Sequence, residues 1–166
     1  KMNFDSNEEL YFSWWLDELK EFGLVVNYHR GLPFLLSSAV KFTVDKKLKT
    51  KTVKVQKHII DEHIYTPDFV VEFNSIFVNK TGLYHTDGIA HIEIKGNYDF
   101  NNMTRLFKIN QKWVYAKHGV LVNLLKVPTI FTKTFTPARY LLTDKSGKPR
   151  KLNWKPKTLK QYLEEL

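Results

Sequence analysis

From Asp5 to Gly23 the chain reads DSNEELYFSWWLDELKEFG, and its apolar positions recur with a helical period. Phe12, Trp15, Leu16, Leu19 and Phe22 fall on one face, with Asp17, Lys20 and Glu21 toward water. Asp5 or Ser6 can cap this helix, Glu8 and Glu9 suit its first turn, and Gly23 ends it. The Glu9 side of the helix is expected to turn partly inward. In HRGLPFLLSSAVKFTV a Gly-Leu-Pro break precedes a strand expected around Phe34 to Val44. KKLKTKTVKVQKHIIDEHIYTPDFVVEF then alternates charged with β-branched residues, as strands do. DFVVEFNSIFV, turns at Asn79 to Gly82 and Asp87-Gly88, and IAHIEIKG predict consecutive antiparallel strands.

NNMTRLFKINQKWVYAKHG reads as a second helix that stops at Gly119, with Leu106, Ile109 and Trp113 as its buried side. VLVNLLKV follows as a short buried strand. A helix joining two strands this closely makes a right-handed crossover, so those strands are expected to be parallel. The tail predicts a hairpin around Ser146-Gly147 and a short terminal helix, KTLKQYLEEL, begun by Thr158. With no internal repeat and no long linker, residues 1–166 are expected to form a single mixed α/β domain.

Composition narrows the class. The 166 residues are 43% hydrophobic and 14% aromatic, which supports a buried core without staples. The absence of cysteine excludes disulfides and thiolate zinc sites and favours an intracellular, cytoplasmic setting. KMNFDSNEELYFSWW has acidic residues and no long apolar run, so neither a signal peptide nor a membrane partner is expected. A net charge of +9 favours a polyanionic partner, nucleic acid above all. Lysines 46, 47, 49, 51, 54 and 57 make either a DNA-facing ribbon or an exposed edge strand guarded by charge.

The candidate chemistry centres on HIEIKG, residues 91–96, where strand alternation sets Glu93 and Lys95 on one face and Ile92 and Ile94 on the other. Upstream, in YTPDF, Pro67 breaks strand pairing just before Asp68. If the hairpin folds Asp68 back, two carboxylates and an ammonium meet. Carboxylate oxygens hold hard cations such as Mg²⁺ while leaving positions for a substrate phosphate, and a nearby lysine can orient water. The bland alternative is a solvated strand whose Glu93 and Lys95 form only a surface pair. No zinc spacing, glycine-rich phosphate loop or Ser-His-Asp arrangement competes.

Pro67-Asp68 and Glu93-Ile94-Lys95, followed by Gly96, resemble the two half-motifs of the PD-(D/E)XK nuclease superfamily. The resemblance implies a restriction-endonuclease-like α-β-β-β-α-β core, a mixed central sheet flanked by helices, with the tail's hairpin and helix appended. It implies Asp68 and Glu93 as ligands of Mg²⁺, with Mn²⁺ able to substitute, the Ile94 carbonyl as a further ligand, and Lys95 as the activating lysine. Ser6, Glu9, Phe12 and Leu16 resemble the family's leading helix, which makes Glu9, or Glu8 in its place, an extra metal ligand or water positioner. The Ser6-to-Glu9 spacing is equally that of a stabilising capping box.

Gln111 and Tyr115 resemble a QxxxY element found after the lysine in some exonuclease branches. Arg105, Lys108 and Lys112 lie along one side of the same helix, as phosphate contacts or simply as its solvated face. His63 and His91 flank the half-motifs, placed either to touch DNA and move protons or to be satisfied strand-end residues. The expected activity is Mg²⁺-dependent endonucleolytic hydrolysis of DNA, of phage type or in DNA recombination and processing. A Holliday-junction resolvase, working as a homodimer, is one alternative. A nucleic-acid-binding module that has lost its chemistry is the other.

Overall fold

A computed structural model describes residues 3–96, 103–142 and 148–166. In chain order the elements are α1 (Asn7–Glu21), β1 (Val25–Arg30), β2 (Phe34–Ser37), β3 (Val40–Lys47), β4 (Thr52–Ile60), β5 (His63–Tyr65) and β6 (Phe69–Phe73). They continue with α2 (Ser75–Val78), β7 (Ile89–Lys95), α3 (Met103–His118), β8 (Val122–Lys126), α4 (Val127–Lys133), α5 (Ala138–Leu141) and α6 (Leu159–Glu164). No helix among the described residues is long and apolar enough to cross a membrane.

Ser6 is the N-cap of α1, its hydroxyl accepting from the Glu9 N–H at 3.2 Å, and Glu8 and Glu9 occupy the first turn where the helix dipole favours them. Phe12, Trp15, Leu16 and Leu19 are buried as the periodicity predicts. Phe22 is not: it is the C-cap and is 58% exposed, because Gly23 at φ 71° turns the chain away before that side chain reaches the core.

The central sheet has the order β1-β6-β7-β8. β6 pairs antiparallel with both β1 and β7, while β7 and β8, joined through α3, are parallel as expected. The sheet is therefore mixed, and helices flank it. One face, with Phe69, Val71, Phe73, Ala90, Ile92 and Ile94, packs on α1 and on the aromatic residues Phe131, Phe135, Tyr140 and Tyr162 of the C-terminal helices. The other carries a smaller cluster in which Val122 meets Phe107 and Val114 of α3 and Leu36 and Tyr65 of β2 and β5.

Several local expectations are corrected. The strand expected over Phe34 to Val44 is two strands, β2 and β3, parted at Ser38-Ala39; β2 pairs with β5 and β3 with β4. These four strands form a long excursion between β1 and β6. The strand after Asp68 ends at Phe73, because Asn74 caps α2 by accepting from the Ile76 N–H at 2.9 Å. In α3 the buried residues are Phe107, Asn110 and Val114, whereas Leu106, Ile109 and Trp113 are exposed. The helix docks against β2 and β8 one residue further round than its apolar pattern implies, with polar Asn110 in the middle of the real face.

At the tail, the turn expected at Ser146-Gly147 lies outside the described residues, and its upstream arm is the short helix α5 rather than a strand. Thr158 does begin α6, with both bonds of a capping box to Gln161.

Candidate active site

β6 and β7 run antiparallel with Phe69 opposite Ile92 and Val70 opposite His91. Directly opposed residues share a face, so one further step of that register sets Asp68 across from Glu93. The two segments are tied by the Ile94 N–H, which donates to Asp68 Oδ2 at 2.7 Å. Gly31 fixes the approach from the other side: its N–H donates to the Asp68 carbonyl at 3.2 Å, and a Cβ on it would stand 1.9 Å from the Pro67 carbonyl oxygen. Only glycine lets the chain leaving β1 pass this closely over Pro67.

Glu93 and Lys95 share a face, as strand alternation requires, and Lys95 Nζ lies 2.5 Å from Glu93 Oε1. This is no solvated surface pair, since Glu93 is only 7% exposed. The second carboxylate oxygen of Glu93 accepts from the Tyr65 hydroxyl at 2.8 Å. Burying an ionised carboxylate is tolerable here because both its oxygens are met by donors, one of them charged.

α1 brings the third carboxylate from the opposite side of the sheet. Glu9 is buried, accepts from Arg30 Nη1 and from the Ser6 hydroxyl at 3.0 Å, and is bonded by the Asp5 N–H at 3.2 Å. Arg30 also reaches Asp5 at 2.8 Å. Glu8 lies over the residue after the lysine, with its carboxylate in ordinary contact range of a Cβ on Gly96. Both acidic residues of the first turn thus flank the site, Glu9 from within and Glu8 from its rim.

The electrostatics record this crowding of acids. Burial, then the Glu93 charge and more weakly Glu9, push the Asp68 carboxyl up to about 7, against the pull of the Ile94 N–H and Lys95. Burial and the adjacent Glu93 push the Tyr65 hydroxyl far up, so it stays a donor. Burial works against the Arg30 charge, but Glu9, with Asp68 and Asp5, more than restores it and raises its pKa.

Among the described residues no group of three or more His, Asp or Glu stands ready to hold a metal ion. Lys95 and Tyr65 are bonded to the two oxygens of Glu93, and Arg30 to Glu9. The donor set nonetheless suits Mg²⁺: one or two carboxylates, Asp68 and Glu93, with the Ile94 carbonyl and waters, are all hard oxygen ligands.

The other sequence-predicted residues lie elsewhere. Arg105, Lys108 and Lys112 are exposed on α3. Gln111 donates to the Val122 carbonyl at 2.5 Å, a bond that pins α3 to β8. Tyr115 and His91 line a separate cavity of about 370 Å³ with Tyr84, His85 and Gly119. Burial and His29 lower the His91 pKa, and its buried Nδ1 has no hydrogen-bond partner. His63 sits edge-on to Trp113 at 5.1 Å. The residues the pattern did not single out are Tyr65 and Arg30. Tyr65 stood in plain view three residues before Asp68, and Arg30 beside the glycine that packs on Pro67. No family model, no curated protein and no solved structure matches this chain.

Proposed function

We propose that this chain is a metal-dependent DNA nuclease of the PD-(D/E)XK type, with Asp68, Glu93 and Lys95 as its catalytic set. The observation that carries the reading is the convergence of Asp68, Glu93 and Lys95 at one end of the sheet, beside the Glu9-bearing start of α1. The succession α1-β1-β6-β7-α3-β8 agrees with the α-β-β-β-α-β core that the motifs imply. The net charge of +9 supports a phosphate polyanion as substrate.

Asp68, Glu93 and the Ile94 carbonyl are the residues that would hold Mg²⁺ or Mn²⁺. When bound, the ion supplies Lewis-acid polarisation of the phosphoryl oxygen and offsets the crowded carboxylate charge. Lys95 orients the attacking water in line with the leaving oxygen and steadies charge as it develops on the phosphate. Tyr65 fixes the Glu93 carboxylate, and Arg30 fixes Glu9, so the acids are held before substrate arrives.

The test is incubation of the purified chain with linear, single-stranded, flapped and four-way DNA, in Mg²⁺, Mn²⁺ or chelator. Cleavage that needs the metal is expected. Failure to cut any of these substrates with either ion overturns the nuclease reading.

A further inference from the structure

We propose that the ribbon formed by β3 and β4 is an arm that grips double-stranded DNA in its major groove; the nuclease reading enters only in identifying the site this arm serves. Among the described residues the two strands pair with each other and with no other strand. Every residue of β3 is exposed, and in β4 only Val53 and Val55 are partly covered. At roughly 3.3 Å per residue, β4 alone carries the ribbon about 30 Å. The major groove, about 12 Å wide, admits a two-stranded ribbon of this kind.

Residues 40–60 hold seven lysines against the single carboxylate of Asp45, a net +6 of the chain's +9. Among the described residues none of these lysines is held in an ion pair. The register sorts the side chains. Lys41 and His58, Thr43 and Gln56, Asp45 and Lys54, and Lys47 and Thr52 share one polar face, and Lys49 and Lys51 stand at the turn. Phe42, Val44, Val53 and Val55 mark the other face, with Lys46 and Lys57 beside them. A surface built for single strands would offer a row of aromatic platforms for bases, and this ribbon has only two rings, Phe42 and His58, which stand on opposite faces.

Both strands of a two-stranded ribbon are open edges, so the lysines also keep it from pairing with another chain; their number, a net +6 with no ion-pair partner among the described residues, is what points to a polyanion. An isolated two-stranded hairpin is only marginally stable in water, and a groove supplies the partner that it lacks. The arm is also rooted at the chemistry. It leaves the sheet after Arg30 and Gly31 and returns through β5, whose Tyr65 bonds Glu93 three residues before Asp68. The arm that grips the duplex therefore springs from a root that adjoins the carboxylates.

The experiment compares the cleavage-silenced chain, Asp68→Ala, with the same chain carrying Lys47→Gln, Lys49→Gln, Lys51→Gln and Lys54→Gln. Binding to a labelled linear duplex and to the corresponding single strand is followed by anisotropy from about 50 to 200 mM salt. The neutralised arm is expected to lose duplex affinity on the order of 100-fold, and its log-log salt slope is expected to fall by about 3 to 4. Circular dichroism is expected to be unchanged, since all four positions are exposed.

An unchanged duplex affinity and slope would overturn the proposal, and so would an equal loss on the single strand. It also fails if Phe42→Ser with Val44→Ser breaks a dimer while the lysine variants bind duplex normally, which would make the ribbon a protein interface. A chain that grips duplex through these lysines yet cuts nothing sinks the nuclease reading and leaves the arm intact. Cleavage by the unaltered chain, with binding indifferent to the lysines, does the reverse.

Discussion

The carboxylate end of the sheet and the lysine ribbon hold their charges in opposite ways. Around Asp68 the inner acids are enclosed and answered: Glu93 by Lys95 and Tyr65, Glu9 by Arg30 and Ser6, Asp68 by the Ile94 N–H. The ribbon's lysines stand in water, and among the described residues their strands have no ladder but their own. Charges locked by the core act through position, and charges left in solvent act through their number. Substitutions at the first should therefore damage chemistry and folding together, while those at the second should weaken affinity alone.

The sharpest contrast is between two lysines. Lys95→Ala is expected to lower the cleavage rate at saturating DNA on the order of 100- to 1,000-fold, whereas ribbon substitutions act on binding; single-turnover kinetics separate the two. Gly31→Ala tests how tightly the carboxylate end is built. Its new methyl has no room at the Pro67 carbonyl, so chemical denaturation should show a loss of about 3 kcal/mol, with activity falling alongside.

Tyr65→Phe removes one buried donor from Glu93 and should cost about 2 kcal/mol in the same measurement. A further effect concerns pH. The Asp68 carboxyl titrates near 7 in the folded chain and near 3.8 when unfolded, so between those values the folded state binds more protons. In chelator, the stability contributed by protonated Asp68 is complete below about pH 3.8 and is lost as pH rises through about 7, a slope that Asp68→Asn should flatten. Smallest of all, Lys47→Gln should shift stability by no more than about 0.5 kcal/mol. A larger change would mean that the ribbon is packed against something after all.

Much of the carboxylate end was legible in the sequence because its signals are local. The Ser6 cap, the alternation of Glu93 with Lys95 and the proline before Asp68 each state a geometry within a few residues. The parallel pairing of β7 and β8 followed from the helix between them. What escaped was decided at a distance. β1 has no strong alternation of its own, and α3 offers two neighbouring faces with helical spacing; docking on β2 and β8 selects the one that contains Asn110. Tyr65 and Arg30 matter only because the fold brings them to Glu93 and Glu9, which no spacing along the chain announces. The ribbon's charge was readable, while its isolation from the central sheet required the strand pairing.

We propose that Asp68 and Glu93 beside Lys95 form a working metal-dependent nuclease centre. Its most direct test is cleavage of one DNA substrate by the parent chain and by Asp68→Ala, prepared identically, with Mg²⁺ and with chelator. Cutting by the parent in Mg²⁺ alone, with the variant inert yet still able to bind the DNA, is the predicted result. An Asp68→Ala chain that cuts as fast as the parent would contradict the account.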